Sequence, residues 1–296
     1  MYRKHFGLRE LPFGITPDTS YVFSCTTHQE ALNTLLVAVA NGEGFIKITG
    51  EVGTGKTLLC RRFIATLDDQ YVTAYVPNPY LEPRALMLAL AEEFGIAVDI
   101  TADQHHLLKQ LNAVLLEYAR NHKRVIVCLD EAQAMPLETL EALRLLSNLE
   151  TEKRKLLQVV LFGQPELDTK LSQESVRQLR QRITFQYRLD ALSARDVDFY
   201  LTHRLRVAGY LGQRLFASRA VSALYRASGG VPRLINIVAH KSLMLVYGEG
   251  GHEVQPRHVR VAAKDTPSAR ARGIIWLWSA LSTAAAAAAG AWLLLR

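Results

Sequence analysis

"GEVGTGKT", residues 50–57, has glycine at its first, fourth and sixth positions and ends in Lys56 and Thr57. In a G-x-x-x-x-G-K-[ST] turn the glycines let successive main-chain N–H groups point inward around phosphates. The lysine reaches the terminal phosphates and the hydroxyl serves Mg2+. Such a pattern arises by accident in roughly 1 per cent of chains this long, given average glycine usage. The flanks tighten the reading. "FIKIT" (45–49) is an apolar run suited to a buried strand, and "TLLCRRFIATL" (57–67) has the apolar spacing of a helix. A strand, this turn and a helix N-terminus with its dipole together make an anion site. Gly50, Glu51, Val52, Gly53, Thr54, Gly55, Lys56, Thr57 and Leu58 are the expected nucleotide-phosphate residues.

Working outward, strand and helix patterns alternate. Strands are expected at 71–77, 125–129, 157–162 and 183–189, with helices at 83–94, 103–121 and 136–150. The continuous apolar run at 125–129 reads as a parallel strand buried on both faces, and 157–162 as another apolar strand. Beyond Asp190 only helical spacing recurs, up to about residue 263. The expected fold is α/β: a parallel sheet sandwiched by helices over residues 1–190, then a small all-helical domain over 191–265.

A phosphate loop needs a partner for its metal. Asp130 ends the buried run "VIVCL", and the carboxyl ends of parallel strands are where such sheets place ligands. There it would hold Mg2+, directly or through water, beside Thr57. Glu131 points differently and would orient and activate an attacking water.

Composition bounds the rest. The 296 residues are 49% apolar, enough for a sizeable core, and 35 basic against 28 acidic residues give a net charge of +7. That balance suits nucleic acid, anionic lipid or plain solubility and does not choose among them. Three cysteines, Cys25, Cys60 and Cys128, suggest no disulfide framework, and Cys60 and Cys128 are expected in the core. Neither has a His or second Cys at metal-ligand spacing, so zinc is unsupported. The N-terminus lacks the apolar region of a signal peptide. At the other end, residues 274–295 carry no charge over 22 positions, with Trp276, Trp278 and Trp292 near the two ends. As a helix this stretch spans roughly 33 Å and reads as a transmembrane span. Arg257, Arg260, Lys264, Arg270 and Arg272 precede it and Arg296 alone follows, which places the main body in the cytoplasm, behind a basic linker at 266–273. The same basic stretch is either a solvated linker or a contact for anionic headgroups.

"GEVGTGKT", "VIVCLDEAQ", "GQPEL", "LRQRI" and "GGVPRLIN", in this order and spacing, resemble the ExeA-like secretion ATPases of the AAA+ superfamily. The opening "HFGLRELPFGITPD" and "HQEAL" resemble that family too, and over residues 1–265 the pattern suggests the branch serving MSHA-type pili. The resemblance implies a P-loop AAA+ domain, a helical lid, ATP and Mg2+ as cofactors, and ATP hydrolysis. It implies a homo-oligomeric ring, such as a hexamer, at the bacterial inner membrane. Its partners would be assembly proteins of a type IV pilus or type II secretion apparatus, with no stable nucleic-acid partner. By position, Arg182 in "LRQRI" matches an arginine finger offered to the neighbouring subunit, with Arg180 and Arg177 as alternatives. Arg233 in "GGVPR" matches the sensor 2 arginine of the lid. Gln164 follows the fourth strand where sensor 1 belongs, although many members carry Asn, Ser or Thr there. His28 and Gln29 begin a helix that borders adenine in related proteins, or else His28 is a capping or surface residue. Some relatives continue beyond the membrane into a peptidoglycan-binding domain, an activity not carried over here. Two other readings stay open: a DNA-associated AAA+ switch resembling transposition helpers, and a weakly hydrolysing scaffold whose partner binding depends on nucleotide.

Overall fold

The computed structural model describes residues 2–16, 18–21, 23, 25–98, 103–146, 150–151 and 154–269. The expected transmembrane span at 274–295 and residues 270–273 of the expected linker lie outside these. Among the described residues no helix is long and apolar enough to cross a membrane. The chain divides into two compact units, Ser24–Asp190 and a second made of Met1–Phe23 with Ala191–Arg296.

In the first unit, strands β1 (Phe45–Thr49), β2 (Tyr71–Val76), β3 (Arg124–Leu129), β4 (Glu150–Thr151), β5 (Arg154–Lys155), β6 (Leu157–Gly163) and β7 (Ile183–Arg188) follow in chain order. Five of them form a sheet in the order β2-β3-β6-β1-β7, and every pairing in it is parallel. Their sequences explain this order. β3 and β6 are buried almost throughout and occupy the centre, whereas β7 alternates between half-buried and exposed residues and takes an edge. β4 and β5 make a separate antiparallel hairpin.

Alternation along the central strands feeds two cores. Val125, Val127, Leu129, Val159 and Leu161 face helices Pro83–Glu93 and Gln104–Arg120, whose Leu86, Leu90, Leu107, Leu111 and Leu115 recur at helical spacing. On the other face, Ile126, Cys128, Val160 and Phe162 meet Leu32, Leu35, Leu59, Cys60 and Phe63. Cys60 and Cys128 are therefore core residues, each fully buried. Burying each such aliphatic side chain contributes about 1.5–3 kcal/mol. Asp103 caps the helix Gln104–Arg120 by accepting from the His106 N–H at 2.7 Å. The helix after Pro136 ends at Leu146, short of the expected 150, and the β4–β5 hairpin follows in the polar stretch where the apolar period has lapsed.

The second unit contains helices Ala194–Val207, Ser218–Ser228, Pro232–Gly248 and Pro256–Lys264. Pro232 and Pro256 start their helices where a missing N–H costs nothing. Residues 2–23 belong to this unit by contact. Arg204, almost fully buried, donates to the carbonyls of Pro12 and Gly14 and to the Tyr200 hydroxyl, and its guanidinium lies 4.4 Å from the Tyr21 ring centroid. Asn236 donates to the Gly14 carbonyl at 3.1 Å and accepts from the Tyr200 hydroxyl at 2.9 Å. Thr266 and Ala269, at the start of the expected linker, are buried against this unit.

Candidate nucleotide site

β1 delivers the chain into the glycine turn and the helix Lys56–Thr66 leads it out. Gly53 and Gly55 adopt φ of +81° and +102°, backbone that side-chain-bearing residues rarely adopt. Gly50 has another reason to be glycine: a Cβ there would sit 2.7 Å from the Leu189 carbonyl oxygen. The Thr54 hydroxyl donates to the Glu51 carbonyl at 2.9 Å and tightens the turn, while Glu51 and Val52 are exposed at its tip. Thr57 and Leu58, in the first turn of the helix, are half-buried.

Lys56 is 5% exposed and its Nζ donates to the carbonyls of Gly50 at 2.7 Å and Glu51 at 3.0 Å. Burial pushes its ammonium below the ordinary lysine range, against the pull of Glu131, Asp130, Glu51 and Glu166. The turn therefore folds around a cation that only backbone oxygens satisfy directly. Asp130 is 2% exposed at the end of β3. Burial raises its carboxyl above the usual carboxylate range, and hydrogen bonds from the Thr57 hydroxyl and the Glu131 N–H oppose that. Tyr75, on the neighbouring strand β2, points its hydroxyl at the same carboxylate from 3.4 Å.

Glu131 turns the other way. It sits at φ +54° and ψ +37°, a left-handed conformation unusual for a residue with a side chain. Its Oε2 accepts from Gln133 Nε2 at 2.6 Å and Gln164 Nε2 at 2.8 Å. Gln133 Oε1 in turn accepts from the Gln164 main-chain N–H at 2.9 Å. Lys170 holds the turn from below by donating to the carbonyls of Gln133 and Met135.

The structure thus brings Lys56, Thr57, Asp130, Glu131 and Gln164 together. A buried ammonium, a hydroxyl beside a buried carboxylate, and glycines that keep the main chain open fit a nucleotide phosphate with Mg2+. The donor set is hard oxygen, and a raised carboxyl is what a nearby cation would hold ionised. Among the described residues no group of three or more His, Cys, Asp or Glu side chains is placed to hold a metal.

Arg182 is elsewhere. It precedes β7, whose first residue Ile183 pairs with Phe45, the first residue of β1, while the phosphate loop leaves the far end of β1. A five-residue strand separates the two by roughly 17 Å, so Arg182 does not reach its own chain's loop. Arg180 and Arg177 are exposed on the same short helix, Arg177–Arg182. Arg233 is exposed in the first turn of Pro232–Gly248 and belongs to the other compact unit.

Several neighbours escaped the sequence reading. Gln133, Lys170 and Tyr75 carry no signal of a role in the sequence, since an amide, a lysine or a strand tyrosine beyond the motif leaves no spacing signature. His28 is neither a cap nor a surface residue: its Nε2 lies 3.0 Å from the Thr54 carbonyl oxygen and its Nδ1 2.8 Å from Cys25 Sγ. Because a carbonyl only accepts, Nε2 carries the proton and Nδ1 accepts from the thiol. A Cβ on Gly55 would meet this ring at 2.9 Å. The helix Thr26–Ala40 is thereby fastened to the phosphate loop.

A family model described as "AAA domain" matches residues 39–171. General secretion pathway protein A of Aeromonas hydrophila is 42% identical over 295 residues, which is 99% of this chain and 54% of that protein. The chain thus spans about half the length of this relative. Among solved structures, Cdc6p from Pyrobaculum aerophilum superposes with a TM-score of 0.65 at 17% identity, over 84% of this chain and 70% of that one. The Walker-type ATPase paby2304 of Pyrococcus abyssi gives 0.59 at 15% identity, over 92% and 80%. At such identities the two structures speak for the fold alone.

Proposed function

From the likeness of this chain to general secretion pathway protein A and the AAA domain matched at residues 39–171, we propose that it is an ExeA/GspA-like AAA+ ATPase that binds ATP with Mg2+ and hydrolyses the terminal phosphoanhydride bond. The observation that carries this reading is the division of labour between the adjacent carboxylates: Asp130 turned to Thr57, and Glu131 turned away and held by amides. Residues 50–58 cradle the phosphates through main-chain N–H groups, and Lys56 neutralises charge on the terminal ones. Thr57 and Asp130 hold Mg2+, directly or through water. When bound, the metal supplies charge stabilisation to the phosphoryl oxygens. Glu131 orients the attacking water and accepts its proton, and Gln164 stands beside it as sensor 1. Arg182 completes the site of the neighbouring subunit in a homo-oligomeric ring such as a hexamer. Its distance from its own loop supports action in trans. Arg233 takes the part of a sensor 2 arginine by its place in "GGVPR", coupling lid position to nucleotide state.

The uncharged stretch at 274–295 anchors the chain in the bacterial inner membrane, with the ATPase body in the cytoplasm. Likeness to a general secretion pathway protein supports work on assembly of a type II secretion apparatus or a type IV, MSHA-type pilus. Exchanging Glu131→Gln tests the chemistry. ATP binding in the presence of Mg2+ is retained while turnover falls about 100-fold or more, as expected for loss of a general base. Unchanged turnover in that variant would reject Glu131 as the base.

A further inference from the structure

The amide ring around Glu131 assigns a role to a residue outside the phosphate motifs. We propose that Gln133 is a positioning residue for hydrolysis, setting the orientation of the Glu131 carboxylate and tying it to the end of β6. This role rests on the ATPase reading above.

The geometry is closed. Gln133 lies two residues beyond Glu131, in the short 3-10 turn Ala132–Ala134. Its Nε2 donates to Glu131 Oε2, and its Oε1 accepts from the Gln164 main-chain N–H. Gln164 Nε2 returns to the same Glu131 oxygen at 2.8 Å. Both amides therefore use Oε2, and among the described residues no hydrogen bond to Oε1 accompanies them. One oxygen fixes the rotation of the carboxylate while the other remains to take a proton from water.

The main chain supports the same arrangement. Glu131 is one of two described non-glycine residues at positive φ, and such backbone persists only where its surroundings over-determine it. Lys170 supplies that restraint by gripping the carbonyls of Gln133 and Met135, so the turn carrying Gln133 is held at both main chain and side chain. Gln164, the first residue after β6, moves with the strand paired to β1, from which the phosphate loop springs. Gln133 thereby links the proton acceptor to the strand beside the loop.

The test uses the full chain with ATP and Mg2+. Gln133→Glu keeps the size of the side chain and the oxygen facing the Gln164 N–H, but removes the donor to Glu131. Its kcat is expected to fall about 10- to 100-fold, with the Kd for a non-hydrolysable ATP analogue within about 2-fold of wild type, the pattern of an interaction needed only for the chemical step. Gln133→Ala placed on Glu131→Gln should lower the residual rate by less than about 2-fold, since both changes act on one step. A kcat for Gln133→Glu within about 2-fold of wild type overturns the proposal. So does a further loss of both rate and nucleotide affinity when Gln133→Ala is added to Glu131→Gln, because that marks a structural role. Should Gln133→Ala fail to fold, the isosteric variant decides alone. Absence of turnover in the wild-type chain would overturn the ATPase reading and this role with it, whereas wild-type turnover with an unaffected Gln133→Glu overturns this role only.

Discussion

Gly230, in "GGVPR", is glycine for two reasons that add. Its φ is +76°, and a Cβ built there would fall 2.0 Å from the Leu192 carbonyl oxygen, whose residue also donates its N–H to the Gly230 carbonyl at 2.9 Å. Backbone cannot yield as a side-chain tip would. Gly250, in the same unit, has φ of +68° with nothing within 4 Å of its would-be Cβ. Gly250→Ala should therefore cost about 1 kcal/mol, the penalty of the left-handed conformation alone. Gly230→Ala adds steric displacement and should cost about 3 kcal/mol or more. Urea midpoints of the two variants measure the difference. In the sequence, "GGVPR" stands out only for Arg233, and nothing in it signals the carbonyl that makes alanine unacceptable.

At the scale of elements, the central sheet is legible because strands buried on both faces spell apolar runs, continuous in "VIVCL" and broken only by the buried Gln158 in "LQVVLF". The two-residue strands of the hairpin have no period to read, and the helix after Pro136 was overextended into them. The phosphate motif and the two carboxylates were legible as residue types at fixed spacing. Gln133 and Lys170 were not, because their parts follow from distances across 31 to 37 residues of chain that only folding brings together.

His28 shows the same limit, since a helix-start histidine reads alike whether it caps or packs. Its contact between two elements carries a pH dependence. Burial lowers its basicity below the ordinary value of 6.5, so the folded state favours the neutral ring. The stability this provides is whole above about pH 6.5 and is lost as pH falls below that toward the folded-state value. Melting of the wild-type chain should accordingly decline more steeply between about pH 7.5 and 5 than that of His28→Gln, so the gap between them narrows with acid. A constant gap would mean that His28 titrates alike in the folded and unfolded chain.

For the whole molecule, the placement of Arg182 at the starting end of β7 makes assembly measurable through activity. Lys56→Ala and Arg182→Ala chains should each be inactive alone. Mixed, they should regain a fraction of wild-type turnover, because a Lys56→Ala subunit lends its Arg182 to an intact loop next door. Failure of the mixture to recover, with oligomers still formed, would reject action in trans, whereas an Arg182→Ala chain active by itself would leave Arg180 or Arg177 as the finger.

The helical unit is assembled from both sides of the sheet unit in the sequence: Tyr2, Phe6, Leu8 and Phe13 are buried, and the Tyr2 hydroxyl lies 2.8 Å from His240 Nδ1. During translation these apolar residues are made before the sheet unit, yet Arg204, Asn236 and His240 emerge only after it. Until then these side chains have no partner from the later part of their own unit, so the stretch at residues 2–13 stays adhesive while the whole sheet unit is being synthesised.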